Sequence, residues 1–397
     1  MKEKLNKEKM KETNKKILYK EIYSNSFINR ALLARKFKMS PATVTNLCSE
    51  MIRENLINEA GSAKSTGGRK PIIIKINENY KYVLGIKIGV GYLNFYLSDL
   101  TGRKIHSYEV ENKEYENHSK TIQKIIYEFK NILTKNEIKL KQILGVGISV
   151  SGIVDPLEGV VKDSFILKWR DVTLGKTLKK ELKVNIHIIN DLDSFALAQL
   201  WKGEASKYNN CFFITVGSGI GGSMTNNGKL FSLTGAPLEI GHLSILNGGE
   251  ICDCGSEGCL EAHIGFKAIT KNIYDKTNLD KLKHEFSSLQ SDEYSEIDFL
   301  KKAQKLDFSL FKEIFESYST FLGLTMKNII NLFYPDYILI GGEAMEFRDF
   351  FLRKSIEIAK RNSFGRLSEK IVFDIDKLGE DSWVLGGIYR VIESNLF

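Results

Sequence analysis

A repeated pattern constrains the fold of this chain more than any other feature of the sequence. The stretch YVLGIKIGVGYLNFYLSDLTGRKI, which starts at Tyr82, resembles the stretch CFFITVGSGIGGSMTNNGKLF, which starts at Cys211. Each contains a buried strand, a glycine turn, a second strand and a polar turn, at residues 101–102 and 227–228 respectively. An internal duplication of this kind predicts two related α/β lobes with a cleft between them.

The glycine turn of the second repeat has two possible roles. Its glycines, at positions 217, 219, 221 and 222, would let backbone N–H groups approach an anion. A tight hairpin also requires glycine, so the pattern alone leaves ligand binding and a purely structural role equally open.

Positive charge is concentrated at the N-terminal end. Residues 1–70 contain 16 Lys and Arg residues against 7 Asp and Glu residues, although the net charge of the whole chain is only +8. Such clustering favours contact with a nucleic acid or a membrane surface, whereas residues 1–16 taken alone are typical of a solvated lysine-rich tail. The sequence shows neither the apolar segment of a secretory signal nor a run of about 18 apolar residues. We therefore expect a cytoplasmic protein without a membrane partner.

The segment after this tail predicts three helices. Apolar residues recur at helical spacing in KKILYKEIYSN and in NRALLARKF, and Ser40 can cap a third helix that starts with Pro41. The apolar side of the third helix would pack inward, so Thr43, Thr45 and Asn46 would be available to bases or phosphates. This order is that of a helix-turn-helix, whose second helix enters the major groove.

The segment LINEAGSAKSTGGRKPIIIKIN predicts a hairpin with a basic tip. Such a wing would present its tip to a phosphate or to the minor groove. A generic three-helix packing domain is the alternative, but the charge and the wing favour DNA. We expect a winged helix-turn-helix DNA-binding domain over residues 1–78. Its candidate DNA contacts are Ser40, Thr43, Thr45, Asn46, Lys64, Arg69 and Lys70.

Three cysteines within eight residues, with a histidine ten residues upstream, predict a metal site. The candidate ligands are His242, Cys252, Cys254 and Cys259. One imidazole and three thiolates suit a closed, tetrahedral structural zinc site, which leaves no position for a catalytic water. A disulfide is the alternative, but a cytoplasmic chain with only five cysteines disfavours it. Cys48 and Cys211 lie in apolar settings and are expected to be core residues.

Polar residues with no obvious structural role lie near this cluster. Asn190 and Asp191 follow the strand NIHII, where the ligand cleft of an α/β lobe would open, and Glu239, His242 and Glu261 flank the cysteines. Carboxylates and amides that converge there could bind sugar hydroxyls, and Asp191 could act as a general base. Asp191 could also cap the next helix, and the two roles are compatible.

The chain resembles the ROK family of repressors, open reading frames and sugar kinases, and specifically its winged-helix transcriptional repressors. The resemblance covers nearly the whole chain and rests on LARKFKMSPATVTNLCSEMIRENL, GGRKP, GISVSGIVD, WRDVTLGKTL, IND, VGSGIGGSMTNNGKLF, EIGH, CDCGSEGCLE and YILIGGE. It implies a two-lobed, actin-like (ribonuclease-H-type) sugar kinase fold over residues 79–397, with a structural zinc loop at residues 239–261. It also implies zinc at the four candidate ligands and sugar contacts at Asn190, Asp191, Glu239, His242 and Glu261, with Asp191 matching the kinases' base.

Two departures from the family kinases bear on activity. The kinases carry Asp-x-Gly-Gly-Thr in the first glycine loop, where this chain has Lys87, Gly89, Val90 and Gly91. An ammonium group cannot position the magnesium ion that phosphoryl transfer needs. In addition, Ile166 falls where the kinases often place a sugar-binding asparagine, so the resemblance does not identify the sugar.

We therefore expect a sensor and not an enzyme. The predicted function is that of a homo-oligomeric transcriptional repressor of carbohydrate metabolism genes, with operator DNA as its partner and a monosaccharide or sugar phosphate as its effector. An ATP-dependent sugar kinase with a fused DNA-binding domain is the alternative, which Asp191 and the GSGIGG turn favour. A transcriptional activator remains a third interpretation.

Overall fold

The computed structural model of the chain describes residues 2–25, 27–62, 72–231, 235–277, 280, 284 and 296–397. The chain folds into two compact units. The first unit comprises Met1–Ile189 and Gly387–Phe397, and the second comprises Asn190–Gly386. Within the described residues, no helix combines the length and the apolar character that a membrane crossing requires.

The N-terminal part of the first unit contains the predicted three helices and hairpin. These elements are α1 (Lys2–Ser24), α2 (Arg30–Phe37), α3 (Pro41–Arg53), β1 (Ile57–Ser62) and β2 (Ile72–Ile76). β1 and β2 pair antiparallel, which confirms the two strands of the predicted wing. The tip of the wing, including Lys64, Arg69 and Lys70, lies outside the described residues.

The lysine-rich tail expected at the N-terminus is instead helical, because α1 already begins at Lys2. Lysine and glutamate are good helix formers, and no glycine or proline interrupts this stretch. Ion pairs join α1 to α3: Lys11 Nζ lies 2.6 Å from Glu50, and Lys15 Nζ lies 2.6 Å from Glu54. Residues 8–13 are exposed, as expected of a solvated stretch, but they are part of a helix.

The N-terminal helices and the hairpin share a hydrophobic core of their own. Its buried members include Leu18, Ile22, Leu33, Val44, Leu47, Cys48, Met51, Ile57 and Ile74. Leu396 and Phe397, at the other end of the chain, pack against this core, and the Phe397 ring lies 5.1 Å from the Tyr23 ring. The C-terminal residues therefore belong to the same packed unit as the predicted DNA-binding helices.

The remainder of the first unit is built on a five-stranded sheet. Its strands are β3 (Tyr82–Ile88), β4 (Gly91–Ser98), β5 (Lys104–Asn112), β6 (Ile143–Val150) and β10 (Ile186–Asn190), in the order β10-β6-β3-β4-β5. β3 runs antiparallel to β4 and parallel to β6.

Two helices and a small sheet complete this unit. They are α4 (His118–Lys135), α5 (Leu174–Leu182) and the three-stranded sheet of β7 (Ile153–Asp155), β8 (Val160–Ser164) and β9 (Trp169–Val172). The buried apolar residues of both sheets and both helices form one core.

The second unit is built on a second five-stranded sheet. Its strands are β11 (Cys211–Val216), β12 (Ile220–Asn226), β13 (Lys229–Leu230), β14 (Tyr337–Gly341) and β15 (Val372–Ile375), in the order β13-β12-β11-β14-β15. β11 runs antiparallel to β12 and parallel to β14.

Helices precede and follow these strands along the described part of the chain. They are α6 (Asp191–Lys202), α7 (Leu260–Ile264), α8 (Phe266–Lys276), α9 (Glu296–Leu306), α10 (Phe308–Phe333), α11 (Arg348–Asn362) and α12 (Ser382–Leu396). The last of these crosses from the second unit into the first along the chain.

The two sheets confirm the predicted duplication. β3, β4 and β5 occupy the places that β11, β12 and β13 hold in the second sheet, and β6 and β10 correspond to β14 and β15. The polar turns also correspond, since Gly102 and the pair Asn227 and Gly228 all have positive φ. The chain therefore has the duplicated α/β, actin-like fold that the sequence predicts.

Candidate functional site

The four candidate metal ligands converge in the second unit. One ligand atom from each of them lies within 4.8 Å of those of the other three: His242, Cys252, Cys254 and Cys259. His242 Nδ1 lies 3.6 Å from Cys252 Sγ, and Cys254 Sγ lies 3.7 Å from Cys259 Sγ. A tetrahedral zinc ion with Zn–S bonds of about 2.3 Å separates its sulfurs by about 3.8 Å, so the donor set has the size and chemistry of a metal site.

Backbone hydrogen bonds shape the loop that carries the cysteines. The amide of Cys252 donates to the carbonyl of Ser256, and the amide of Ile245 donates to the carbonyl of Gly258, each over 2.8 Å. Gly255 and Gly258 have positive φ, as expected of the tight turns that bring the sulfurs together. Cys48 and Cys211, by contrast, are buried core residues, as predicted.

Asn190 and Asp191 stand at the start of α6. Asn190 Oδ1 accepts hydrogen bonds from the amides of Leu192 at 2.8 Å and Asp193 at 3.2 Å. Asn190 is therefore the N-cap, and Asp191 is the first residue of the helix. The capping role considered for Asp191 belongs to its neighbour, whose side chain is almost fully buried.

The carboxylates predicted to bind sugar lie close to one another in the second unit. Burial raises the pKa of Glu239, the neighbouring His242 opposes this rise, and the negative charges of Glu261 and Asp191 add to it. Glu261 Oε2 accepts a hydrogen bond from the amide of Ile220 over 2.8 Å. The four predicted sugar residues other than Asn190 thus share one electrostatic environment.

Two segments carry both candidate metal ligands and predicted sugar residues. His242 contributes to both sets, and its Nδ1 faces the sulfur of Cys252. Glu261 follows Cys259 by two residues, in the first turn of α7. A metal ion that fixes this loop would therefore also fix the positions of Glu261 and the His242 ring.

The first glycine turn is filled by an aromatic ring that the sequence did not reveal as important. A Cβ atom placed on Gly89 would lie 2.3 Å from Cε1 and Cζ of Tyr92, so the ring rests directly on the glycine. Lys87 Nζ lies 5.7 Å from the centre of the same ring, within the range of a cation–π contact. Lys87, which the sequence analysis expects in place of the kinases' magnesium-handling aspartate, therefore lies beside a tyrosine.

The third helix presents the predicted polar face. Thr43, Thr45 and Asn46 are exposed, whereas Val44 and Leu47 between them are buried. The face is therefore available at the surface of the N-terminal region.

The start of this helix confirms the predicted cap. Ser40 Oγ accepts a hydrogen bond from the amide of Thr43 over 3.1 Å and lies 2.8 Å from the Thr43 hydroxyl. Ser40 therefore has a structural role as an N-cap in addition to its predicted contact with DNA.

Comparison with known proteins relates the whole chain to one family. The sequence model of the ROK family matches residues 83–392. The chain is 29% identical over 392 residues to a xylose repressor of Caldicellulosiruptor bescii, and the alignment covers 98% of this chain and 97% of that protein.

Two crystal structures share the fold. A ROK family transcriptional regulator, described as a homolog of the Escherichia coli MLC protein, has a TM-score of 0.81 at 21% identity, with 98% of both chains covered. A ROK family glucokinase from Streptomyces griseus, in complex with glucose and AMPPNP, has a TM-score of 0.63 at 19% identity. The glucokinase covers 78% of this chain and 98% of its own, so a part of this chain has no counterpart in it.

Proposed function

The chain belongs to the ROK family, and from this membership we propose that it is a sugar-responsive, DNA-binding transcriptional repressor of carbohydrate metabolism genes. The observation that carries the proposal is a helix-turn-helix with an exposed polar face, joined in one chain to a cluster of side chains suited to sugar hydroxyls. The end-to-end similarity to a protein named xylose repressor supports the same function.

Operator DNA is the proposed partner of residues 1–78. Support comes from their separate core, the hairpin beside α3 and the excess of basic residues. A single recognition helix reads few base pairs, and two-fold symmetric repressors bind half-sites about 34 Å apart. We therefore propose a homodimer or a higher homo-oligomer on a roughly palindromic operator.

The proposed effector is a monosaccharide or a sugar phosphate. Its contacts would come from Asp191, Glu239 and Glu261, from the Nε2 side of His242 and from the amide of Asn190. The shared environment of the carboxylates supports this assignment, because neighbouring carboxylates accept hydrogen bonds from adjacent sugar hydroxyls. The remaining residues 79–397 would form the sensing domain.

Zinc is the proposed metal of the cysteine loop. The three thiolates and the imidazole of His242 would fill all four positions of a tetrahedral ion. When bound, the ion would supply a structural cross-link within the loop and no catalytic water. The residues around it would then be held in the orientation that the effector needs.

A sugar kinase is the second candidate, and the position of Asp191 at the start of α6, beside Glu239, favours it. Against it stand Lys87 in place of the magnesium-handling carboxylate and the Tyr92 ring on Gly89. Both candidate functions need the sugar site, so sugar binding alone does not separate them. Only a kinase would consume ATP when the sugar is present.

The test begins with a thermal-shift screen of xylose, other pentoses, hexoses, amino sugars and their phosphates, since a ligand that prefers the native state raises the melting temperature. The sugar that binds is then tested for ATP consumption and for its effect on operator binding. If the protein is a repressor, Asp191→Asn should lose the sugar-induced thermal shift and keep operator binding. The control is Asp275→Asn, which changes an exposed carboxylate on α8 and should keep both properties. ATP turnover that requires the sugar would establish the kinase instead.

A further inference from the structure

The second glycine turn, residues 217–222, does bind anions, and these anions belong to the chain itself. The amide of Ser218 donates to Glu343 Oε2 over 3.2 Å, and the amide of Ile220 donates to Glu261 Oε2 over 2.8 Å. Backbone N–H groups in a glycine turn attract negative charge, which is one of the two roles that the sequence left open. Two of these groups are already committed to carboxylates from distant segments.

Glu343 occupies the turn closely. Its Oε2 also lies 3.3 Å from the hydroxyl of Ser218, so one carboxylate oxygen lies near both hydrogen-bond donors of that residue. A Cβ atom placed on Gly217 would lie only 2.6 Å from the same oxygen. A residue with a Cβ atom at position 217 would therefore displace the Glu343 carboxylate from this position.

The backbone after β14 directs Glu343 into this position. Gly342 has a φ of 90°, and the next residue begins a short 3₁₀ segment, Glu343–Phe347. A Cβ atom on Gly342 would lie 2.5 Å from the carbonyl oxygen of Val216. The C-terminal ends of β11 and β14 are therefore in close contact, and each strand is followed by a glycine, Gly217 and Gly342 respectively. The contact with the turn is thus part of how β11 and β14 end.

A second acidic side chain, Glu296, lies at the same place. Burial raises the pKa of Glu296, at the start of α9, while a hydrogen bond from the Ser218 hydroxyl lowers it and the charge of Glu343 raises it further. A phosphate group that approached Ser218 would meet two acidic side chains. The charge of Glu343 would repel the phosphate group, while Lys267 and Asp253 act on Glu296 with opposite signs.

We propose that Glu343 acts as an internal anion in the second glycine turn and excludes phosphate groups from it. Tyr92 fills the first glycine turn in its own unit in a comparable way. The inference deepens the proposed function, on which it rests, because it makes the sensor independent of any nucleoside triphosphate. It concerns a ligand that the protein rejects, so it can fail while operator and sugar binding stand.

The test measures binding of inorganic tripolyphosphate to the full-length protein by isothermal titration calorimetry at low salt. Wild-type protein is expected to bind it weakly or not at all. Glu343→Ala frees the Ser218 amide and should bind it at least about tenfold more tightly, the range expected for a hydrogen bond to a charged group. Adding Glu296→Gln to this variant should strengthen binding further.

Two control variants distinguish occupation of the turn by the Glu343 carboxylate from a change in the net charge of the protein. Glu346→Ala removes a charge from the same 3₁₀ segment, where Glu346 pairs with Lys301 over 3.0 Å, and should bind as weakly as wild type. Glu343→Gln keeps an acceptor for the Ser218 amide, so it should gain less than Glu343→Ala. Glu343→Ser, whose side chain is too short to reach Ser218, replaces the alanine variant if that variant does not fold.

Three results would overturn the inference. The first is tripolyphosphate binding by wild-type protein with an affinity equal to that of Glu343→Ala. The second is an equal gain in Glu346→Ala, which would assign the effect to overall charge. The third is no gain in any folded Glu343 variant. Sugar-induced thermal shifts measured on the same samples report separately on the proposed function.

Discussion

The Glu261 carboxylate is held by the backbone amide of Ile220, which donates to its Oε2 over 2.8 Å. Ile220 opens β12 within the second turn, directly after Gly219, and Glu261 lies 41 residues further along the chain. A turn that resembles a phosphate cradle therefore positions a side chain predicted to bind sugar. Only one of the two carboxylate oxygens is used in this contact, and the other is the proposed acceptor for a sugar hydroxyl.

The first prediction concerns this contact. Glu261→Ala should weaken sugar binding by about tenfold or more, because it removes a charged hydrogen-bond acceptor worth roughly 1.5–3 kcal/mol. Glu261→Gln keeps an oxygen for the Ile220 amide and should retain the wild-type melting temperature. Calorimetric titration with the sugar found by thermal shift gives the affinities. Glu257→Ala, an exposed carboxylate of the cysteine loop, is the matched control, and equal affinities in all variants would refute the sugar role.

The second prediction concerns the metal. Elemental analysis of protein purified without chelator should find one zinc per chain, because four ligand atoms lie within 4.8 Å of one another. Cys254→Ser should lose the zinc and, with it, the sugar-induced thermal shift, since the loop also positions Glu261. Cys211→Ala, a buried cysteine outside the loop, should keep one zinc even if it lowers stability. Wild-type protein without zinc would contradict the assignment.

The third prediction separates the two roles of polar residues around α3. Asn46→Ala should reduce discrimination between correct and altered half-sites by about 1–3 kcal/mol, because its exposed amide is placed to contact a base. Ser40→Ala should also lower the free energy of unfolding by about 1 kcal/mol, since its hydroxyl caps the helix. Competition binding and chemical denaturation measure the two effects. Operator binding that is indifferent to salt would contradict a DNA-binding domain of this kind.

The fourth prediction concerns kinase activity. Lys87→Asp should not create sugar-dependent ATP turnover, because the Tyr92 ring still covers Gly89 and Glu343 still holds the second turn. Position 90 and position 91 also continue to depart from the kinase pattern. A coupled assay for ADP over the sugar panel measures the outcome. Turnover in the single variant would mean that neither Tyr92 nor Glu343 blocks the nucleotide.

Features that depend on local sequence were predictable. The cap at Ser40, the paired strands of the wing and the cysteine loop follow from residue types at fixed short spacing, and the structure contains each of them. The duplicated sheets were predictable because the same pattern of strand, glycine turn and strand occurs twice. The capping role belongs to Asn190, one residue before the position considered, and because Asn and Asp cap equally well, propensity did not distinguish the two positions.

Contacts between distant segments could not be predicted from one sequence. Ser218 and Glu343 are 125 residues apart, and Phe397 reaches the core of the N-terminal helices from the opposite end of the chain. The Tyr92 contact is local, but only the close approach to Gly89 reveals it. Each of these contacts depends on how strands and helices are placed in three dimensions, and no pattern of spacing encodes that placement.

The central claim is that sugar binding changes the affinity of the protein for operator DNA. Operator affinity measured with and without the sugar tests this claim most directly. We expect saturating sugar to weaken operator binding, and linkage then requires operator DNA to weaken sugar binding by the same factor. A tenfold effect corresponds to a coupling of about 1.4 kcal/mol. Asp191→Asn should bind the operator equally well in both conditions. Equal operator affinities for wild-type protein with and without the sugar, or tighter binding with it, would contradict the account.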